Sequence, residues 1–382
     1  ERIQRFRATR PQMQAVPAIR QVLRHRAPHQ AQSDKTDLHI HLLACSSNAP
    51  RPGKRFVRRH SSDYNAAAGR VIAGIIRGMD YTRLIKEIGR GAKGSRSLSR
   101  EDAQALFADM LDGRVPPLQL GAIVMAMRIK SEALDELLGF KAALDERIAH
   151  IDAPAGPRTV VLPTYNGARR RPNLMPLLAL MLAREGVPVL IHGHFDFETR
   201  ADPFALLDAL DLPLADTPAQ AGSLLESRRV ACIRLERLSP GLDALLSLRT
   251  VLGVRNAGHS MAKMIDPVPG RSVRVVSVTH PEYLEKMAHF LRLDGGRSML
   301  LRGTEGEAYA NPARRPQMTG FLDGEEKVLC EAEDGGGLLT QPEAGIDAAG
   351  NAQVIRDMLA GRIPIPDPLR AQYDACRSLC AA

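Results

Sequence analysis

The sequence predicts an α/β protein built from a small all-helical domain and a larger α/β domain with a mainly parallel central sheet. Apolar residues from Met79 to about residue 152 recur with the spacing of helices. From residue 153 onward, short β-branched runs alternate with longer Leu- and Ala-rich blocks, which is typical of a parallel sheet covered by helices. The Pro- and Gly-containing segment Ile151–Pro157 separates the two patterns. We therefore predict domains at 79–152 and 153–382, with part of 240–265 joining the helical domain.

A basic extension, residues 1–78, precedes these domains and has no sustained apolar period. It contains 15 Lys/Arg and 4 Asp/Glu residues, whereas the rest of the chain contains 37 and 39, so the net charge of +9 arises from the extension. We predict that the extension is disordered, or that it is sequence translated from upstream of a start at Met79. A basic nucleic-acid-binding arm and a transit peptide are the alternatives.

The composition argues against several classes of protein. There is no Trp and aromatic residues make up 4%, which disfavours broad stacking surfaces for single-stranded nucleic acid. No run of 18 apolar residues occurs, so we expect no transmembrane helix and no membrane partner. The five cysteines are scattered and form no CxxC pair, which indicates reduced thiols and a cytoplasmic location.

Four helices are predicted in the helical domain. The first begins at Tyr81, and Ser99 is a suitable N-cap for the second because Asp102 follows three residues later. The third, Leu118–Lys130, is so apolar that we predict a buried helix. Ser131 is the predicted N-cap of the fourth, which reaches about residue 148.

A strand–helix–strand unit at Thr159–Gly193 opens the α/β domain. Its two short apolar runs predict buried strands, and the Leu-rich block between them predicts a helix that ends at Gly186. Such a unit implies parallel strands, with ligands at the carboxyl edge of the sheet. The further predicted elements are helices near Pro203–Leu210, Pro240–Leu252, Pro281–Leu293 and Asn351–Leu359, and strands near Val230–Leu235, Arg274–Val278 and Ser298–Leu301.

Three consecutive arginines, Arg169, Arg170 and Arg171, follow the first of these strands and stand beside Asn173. The next residues begin a helix, whose free N–H groups attract anions. The loop therefore suggests a phosphate-bearing ligand, and a solvated basic turn is the alternative.

Four longer segments carry a resemblance to a known family. They read LPTYNGARRRPNL at 162–174, GVRNAGH at 253–259, SVTHPEY at 277–283 and RGTEGEAYANP at 302–312. From Met79 nearly to its end, the chain resembles glycosyltransferase family 3, whose fold is shared by anthranilate phosphoribosyltransferase and pyrimidine nucleoside phosphorylase. Within it, the segments look like the YbiB-type TrpD-like proteins. The resemblance implies nucleic-acid binding instead of tryptophan biosynthesis, and a family chain that continues past residue 382.

The departures from the transferases argue against catalysis. Their glycine-rich diphosphate loop corresponds to Pro163–Gly167, where Pro163 lacks an N–H and Tyr165 is bulky. Their Mg²⁺-binding Asp-Glu pair falls at Ala308-Tyr309, with Glu305 and Glu307 as the nearest substitutes. We predict no catalytic residue, no metal ligand and no cofactor. The positions that still match the transferases are Thr164, Asn166, Gly167, His192, Gly193 and Arg249. By the resemblance, Arg249 corresponds to an arginine that contacts anthranilate.

The sequence thus favours sequence-nonspecific binding of DNA or RNA by a homodimer that pairs through the helical domain. Phosphoribosyl transfer to anthranilate or another aromatic acid, with Mg²⁺, is the alternative. A structural paralogue that pairs with another enzyme is a third. The predicted contacts to nucleic-acid phosphates are Arg169, Arg170, Arg171, Asn173, Arg255, Lys263, Arg302, Arg314 and Arg315.

Overall fold

A computed structural model describes residues 79–91, 93–333 and 347–381 of the chain. The predicted disorder of residues 1–78 falls outside this range. The described residues form the predicted helical domain and the predicted α/β domain with a mainly parallel sheet. None of the helices in the described ranges has the length and hydropathy needed to cross a bilayer.

The helices of the helical domain pack on one another through buried apolar side chains. Ser99 is the N-cap that the sequence predicted, because its Oγ accepts a hydrogen bond from the Asp102 N–H at 3.1 Å. Phe107 and Phe140 stack with ring centroids 4.6 Å apart and join the second helix to the fourth. The helices are α1 (Tyr81–Ile88), α2 (Arg100–Leu111), α3 (Pro117–Lys130) and α4 (Leu134–Asp145).

Two predictions for this domain are wrong. Helix α3 is not buried all round: Leu118 is 88% exposed and Ile129 is 72% exposed, because α3 has neighbours on one side and buries a single stripe there. Ser131 is not an N-cap but the residue that ends α3, with a φ of 65°. Helix α4 begins after it with Ala133 as its N-cap, and the Glu136 carboxylate reaches back to accept from the Ala133 N–H at 2.7 Å.

The sheet of the α/β domain has the order β3-β4-β2-β1-β5-β6-β8-β9, and β7 pairs with β6. The strands from β3 to β6 in this order are parallel, as predicted, whereas β7, β8 and β9 are added antiparallel. Strands β1 and β2 are buried along their whole length, which explains their unbroken apolar runs. The strands are β1 (Thr159–Thr164), β2 (Val189–Gly193), β3 (Leu214–Ala215), β4 (Val230–Arg234), β5 (Ser272–Val278), β6 (Arg297–Thr304), β7 (Glu307–Ala310), β8 (Met318–Leu322) and β9 (Glu325–Cys330).

Helices cover the sheet, and one of them returns to the helical domain. Gly241 at the start of α9 lies so close to α2 that a Cβ there would stand 2.0 Å from the Leu111 carbonyl oxygen. The helices of this part are α5 (Met175–Arg184), α6 (Pro203–Ala209), α7 (Pro218–Arg228), α8 (Leu235–Leu238), α9 (Pro240–Leu252), α10 (Ala257–Met261), α11 (Pro281–Asp294), α12 (Ala348–Leu359) and α13 (Asp367–Ala381).

The sequence did not predict the β6–β7 hairpin, which it assigned to a loop at 302–312. It also missed the antiparallel addition of β8 and β9 and the final helix α13. Strand β9 is largely exposed and polar, and α13 carries charged residues between its buried positions, so neither has a long apolar run. The hairpin matters most, because its turn meets the loop that follows β1.

Candidate functional site

The loop after β1 closes around a carboxylate of the chain itself. Glu307, the first residue of β7, is 1% exposed. Five hydrogen-bond donors converge on this side chain, three of them consecutive backbone N–H groups. Its Oε1 accepts from the N–H groups of Tyr165 (3.2 Å), Asn166 (2.8 Å) and Gly167 (3.1 Å), and its Oε2 accepts from Thr164 Oγ1 (2.5 Å) and Asn173 Nδ2 (3.2 Å).

A second carboxylate, that of Glu305, accepts two further N–H groups of the same loop, those of Arg169 and Arg170. Its Oε2 lies 2.7 Å from the Arg169 nitrogen, and its Oε1 lies 3.0 Å from the Arg170 nitrogen. Glu305 and Gly306 form the two-residue turn of the β6–β7 hairpin, with φ values of 53° and 95°. A glutamate with positive φ costs on the order of 1 kcal/mol, which its two hydrogen bonds offset.

His192 and Tyr165 form a buried pair beneath the loop. The Tyr165 hydroxyl and His192 Nδ1 share a hydrogen bond of 2.8 Å. Burial lowers the pKa of His192 to about 3 and raises the pKa of Tyr165 well above its usual value, with Asp243 and Glu307 adding to the second shift. Both side chains are therefore neutral at physiological pH.

The pKa of His192 predicts a pH dependence of stability. The unfolded chain, with an imidazole pKa near 6.5, takes up a proton that the folded chain refuses until about pH 3. The stabilisation is complete above pH 6.5 and is lost as the pH falls, by about 1.4 kcal/mol per pH unit in the steep part. We expect His192→Asn to flatten the dependence of the unfolding free energy on pH between pH 6 and 4.5 by about one proton. Urea unfolding at several pH values measures this, and equal slopes in the two proteins would contradict it.

Arg249 also contacts groups of the chain itself. Its Nη1 lies 3.2 Å from Asp196 Oδ1, and its guanidinium carbon lies 3.7 Å from the centre of the Phe197 ring. The guanidiniums of Arg200 and Arg255 lie 4.9 Å and 5.3 Å from the same ring. Asp196 and Phe197, from the loop after β2, thus contact the guanidinium of Arg249, the arginine to which the resemblance assigns contact with anthranilate.

Five of the predicted phosphate contacts come together in one cleft of about 840 Å³. We call it the arginine cleft. It lies between the loop after β1, strand β6, the segment before β8 and helix α11, and its arginines come from all four. The five predicted arginines are Arg170, Arg171, Arg302, Arg314 and Arg315, and Arg292, which was not predicted, is the sixth.

The other four predicted contacts lie elsewhere. Arg169 is exposed beside the cleft without lining it, and buried Asn173 donates to Glu307. Arg255 and Lys263 line a separate pocket of about 430 Å³, where Lys263 Nζ donates to the Gly306 carbonyl oxygen at 2.8 Å. Burial lowers the pKa of Lys263 to about 8. Lys263 therefore supports the hairpin turn and does not face the cleft.

Magnesium, which the resemblance implies for the transferase alternative, does not fit the residues present. Ala308 and Tyr309 are buried, and neither offers a carboxylate. Glu305 and Glu307 direct their oxygens at N–H donors, so these oxygens are not available as metal ligands. Within the described ranges, no three His, Cys, Asp or Glu side chains form a group that could hold a metal ion.

The central role of Glu307 was not predicted, because sequence reasoning considered it only as a substitute metal ligand. The available signal was the Glu-Gly-Glu run at 305–307, which places two carboxylates on a tight turn. Asp196 and Phe197 were missed for a similar reason, since nothing in their spacing points to Arg249.

The chain is similar in sequence to a family model and to known proteins. Residues 82–148 match the family model described as the helical bundle domain of the glycosyl transferase family. The chain is 40% identical over 301 residues to the uncharacterized protein YbiB of Escherichia coli, which covers 78% of this chain and 93% of that protein. It is 27% identical over 282 residues to anthranilate phosphoribosyltransferase of Beijerinckia indica, covering 72% of this chain and 81% of the relative.

The fold is also that of solved anthranilate phosphoribosyltransferases. The enzyme from Thermus thermophilus superposes with a TM-score of 0.62 at 21% identity, covering 79% of this chain and 95% of that chain. The helical bundle, the α/β sheet and the identity to YbiB agree with one another. The chain therefore belongs to the glycosyl transferase family with the TrpD-like fold, in its YbiB-type group.

Proposed function

We propose that the protein binds the sugar–phosphate backbone of nucleic acid, DNA or RNA, in the arginine cleft and without reading the base sequence. The observation that carries the proposal is the convergence of six arginines from four segments on one cleft. Planar guanidinium groups suit phosphate oxygens, and contacts to phosphates give affinity without base recognition.

The acidic residues of the cleft leave it a positive excess. Its carboxylates are those of Glu285, Glu305 and Glu326. Glu305 accepts backbone N–H groups, and Glu326 pairs with Arg292 at 2.5 Å. Arg315 pairs with Glu333 at 2.7 Å, so six arginines face four carboxylates. No aromatic side chain lines the cleft in the described part of the chain, which favours contacts to the backbone over stacking of bases. We propose no cofactor for this binding.

Phosphoribosyl transfer is the second candidate, and the relatives favour it. Several proteins similar to this chain are anthranilate phosphoribosyltransferases, and the fold is the same. The site geometry opposes it, since Glu307 fills the loop, Asp196 holds Arg249 and the Mg²⁺ carboxylates are missing. An assay with anthranilate, phosphoribosyl pyrophosphate and Mg²⁺ decides: we expect no turnover, and turnover abolished by Arg249→Ala would replace our proposal.

The binding itself is tested by fluorescence anisotropy with a labelled oligonucleotide. We expect a chain that begins at Met79 to bind, with an affinity that falls steeply as salt rises, because counterions are released from the phosphates. The full chain serves as the comparison, since the extension carries 15 Lys/Arg against 4 Asp/Glu. Binding by the full chain alone would move the activity to residues 1–78 and would contradict the role of the cleft.

Pairing of two copies through the helical domain stays a prediction, as does a cytoplasmic location. The exposed side chains of Leu118 and Ile129 on α3 are the apolar surface that such a homodimer would cover. Sedimentation equilibrium would establish the number of copies.

A further inference from the structure

The carboxylate of Glu307 stands in the environment that a phosphate group would seek. Three consecutive backbone N–H groups, of Tyr165, Asn166 and Gly167, point at its Oε1. We call these three groups the amide nest. Converging N–H groups in a loop of this kind form a concave site for anions. Gly167 has a φ of 65°, in the left-handed region that a nest requires and that glycine adopts without strain.

The nest is filled from inside the molecule. A carboxylate offers about four lone-pair positions, and five donors already surround that of Glu307. Glu305 accepts the Arg169 and Arg170 N–H groups in the same way. The loop between Tyr165 and Arg170 therefore presents its N–H groups to the hairpin, except that of Ala168, which donates to the Ala201 carbonyl oxygen at 3.2 Å.

The hairpin turn leaves no space for a second anion. A Cβ at Gly306 would stand 2.6 Å from Asn166 Nδ2, and the Asn166 amide donates to the Gly306 carbonyl oxygen at 2.9 Å. Lys263 donates to that same carbonyl oxygen at 2.8 Å from the other side. The turn is thus held against the loop by side chains from two directions.

We propose that Glu307 is an internal ligand that occupies a site for small oxyanions, so that the protein excludes a free phosphate or diphosphate from the amide nest. Glu307 is then the specificity-determining residue of the loop. The Glu307 carboxylate is the acceptor of the three N–H groups of the nest. Because Glu307 is the first residue of β7, the strand holds this carboxylate in the nest. Occupation of the amide nest by Glu307 does not depend on binding in the arginine cleft.

Removal of the carboxylate tests this directly. Glu307→Ala should leave a nest of unsatisfied N–H groups and a void of the size of acetate. We expect the melting temperature of this variant to fall, and then to rise saturably by a few degrees with sodium acetate or inorganic phosphate, compared with sodium chloride at equal ionic strength. The melting temperature of the wild-type protein should be the same in sodium acetate as in sodium chloride at equal ionic strength.

Asp347→Ala is the matched control. Asp347 also accepts a backbone N–H, that of Gly350 at 2.9 Å, but at an ordinary helix N-cap with no nest. We expect its loss of stability to be insensitive to acetate. Equal rescue of both variants, or no saturable rescue of Glu307→Ala, would overturn the proposal.

A measurement on the wild-type protein covers the case in which Glu307→Ala does not fold. The amide NMR signals of Asn166 and Gly167 should stay in place as inorganic phosphate is added, because Glu307 already holds those N–H groups. Saturable movement of these two signals would show phosphate entering the nest and would overturn the proposal. Phosphate bound in the arginine cleft would instead move signals of the segments that line the cleft.

Discussion

Replacing Arg170, Arg171 and Arg302 together by glutamine is expected to lower the affinity for an oligonucleotide about 100-fold near physiological salt. Each guanidinium that neutralises a phosphate releases a counterion, so the loss of three should flatten the slope of log K against log salt by about 2.7 for duplex DNA. All three line the arginine cleft from two separate segments. Anisotropy titrations at four or five salt concentrations give both quantities.

The control for this prediction removes the same charge elsewhere. Arg169, Arg228 and Arg237 are exposed and do not line the cleft, so their replacement by glutamine changes the net charge equally. Arg169 is the most stringent control of the three, because it is the chain neighbour of Arg170 and the backbone N–H groups of both residues donate to Glu305. If the control triple variant loses as much affinity and slope as the cleft variant, net charge and not the cleft determines binding.

Replacing Glu136 by alanine is expected to destabilise the protein by about 3–5 kcal/mol. The side chain is 0% exposed and its Oε2 lies 2.6 Å from Lys130 Nζ, whose side chain is itself 8% exposed. It also accepts from the N–H groups of Leu98 (2.8 Å) and Ala133 (2.7 Å). The substitution leaves two backbone donors without an acceptor and the buried Lys130 cation with only the Ser131 carbonyl oxygen at 2.9 Å. Breaking such a buried pair costs far more than the pair contributes.

Urea unfolding of Glu136→Ala beside Glu146→Ala checks this prediction. Glu146 ends the same helix, but its side chain is 59% exposed in its pair with Arg147, so its loss should cost less than about 1 kcal/mol. A double variant Lys130→Met, Glu136→Leu should recover part of the loss because it removes the stranded charge. A loss below 1 kcal/mol for Glu136→Ala would show that Lys130 finds solvent or another partner.

The sequence was a good guide to elements with strong local patterns. The strand–helix–strand unit was predictable because β1 and β2 are buried on both faces and α5 is rich in Leu and Ala. The N-cap at Ser99 was predictable because capping depends on neighbours within three residues. The prediction that helix α3 is buried was wrong because the helix is apolar on more than one side, and local spacing does not show which side a neighbour covers.

The candidate site was less accessible because its contacts join distant parts of the chain. Glu307 and Asn166 are 141 positions apart, and only the order of β1, β5, β6 and β7 brings them together. The position of Lys263 outside the cleft also depends on a distant residue, because its Nζ donates to the Gly306 carbonyl oxygen. Basic residues could be listed from the sequence, but the cleft that five of them share could not.

These features give one account of the site. In a fold shared with anthranilate phosphoribosyltransferases, the loop that resembles their diphosphate loop is closed by Glu307 and the arginine at 249 is held by Asp196. The neighbouring cleft is lined by six arginines, of which Arg292 and Arg315 pair with Glu326 and Glu333. Anions are thus expected in the cleft and not in the loop, which suits a long polyanion better than a small phosphorylated substrate.

The structure of the protein bound to a short oligonucleotide tests this central claim most directly. The account predicts phosphate groups within hydrogen-bonding distance of the guanidiniums of Arg170 and Arg302, with Glu307 still accepting the N–H groups of Asn166 and Gly167. Phosphate density at those two N–H groups, with the Glu307 side chain displaced, would contradict it.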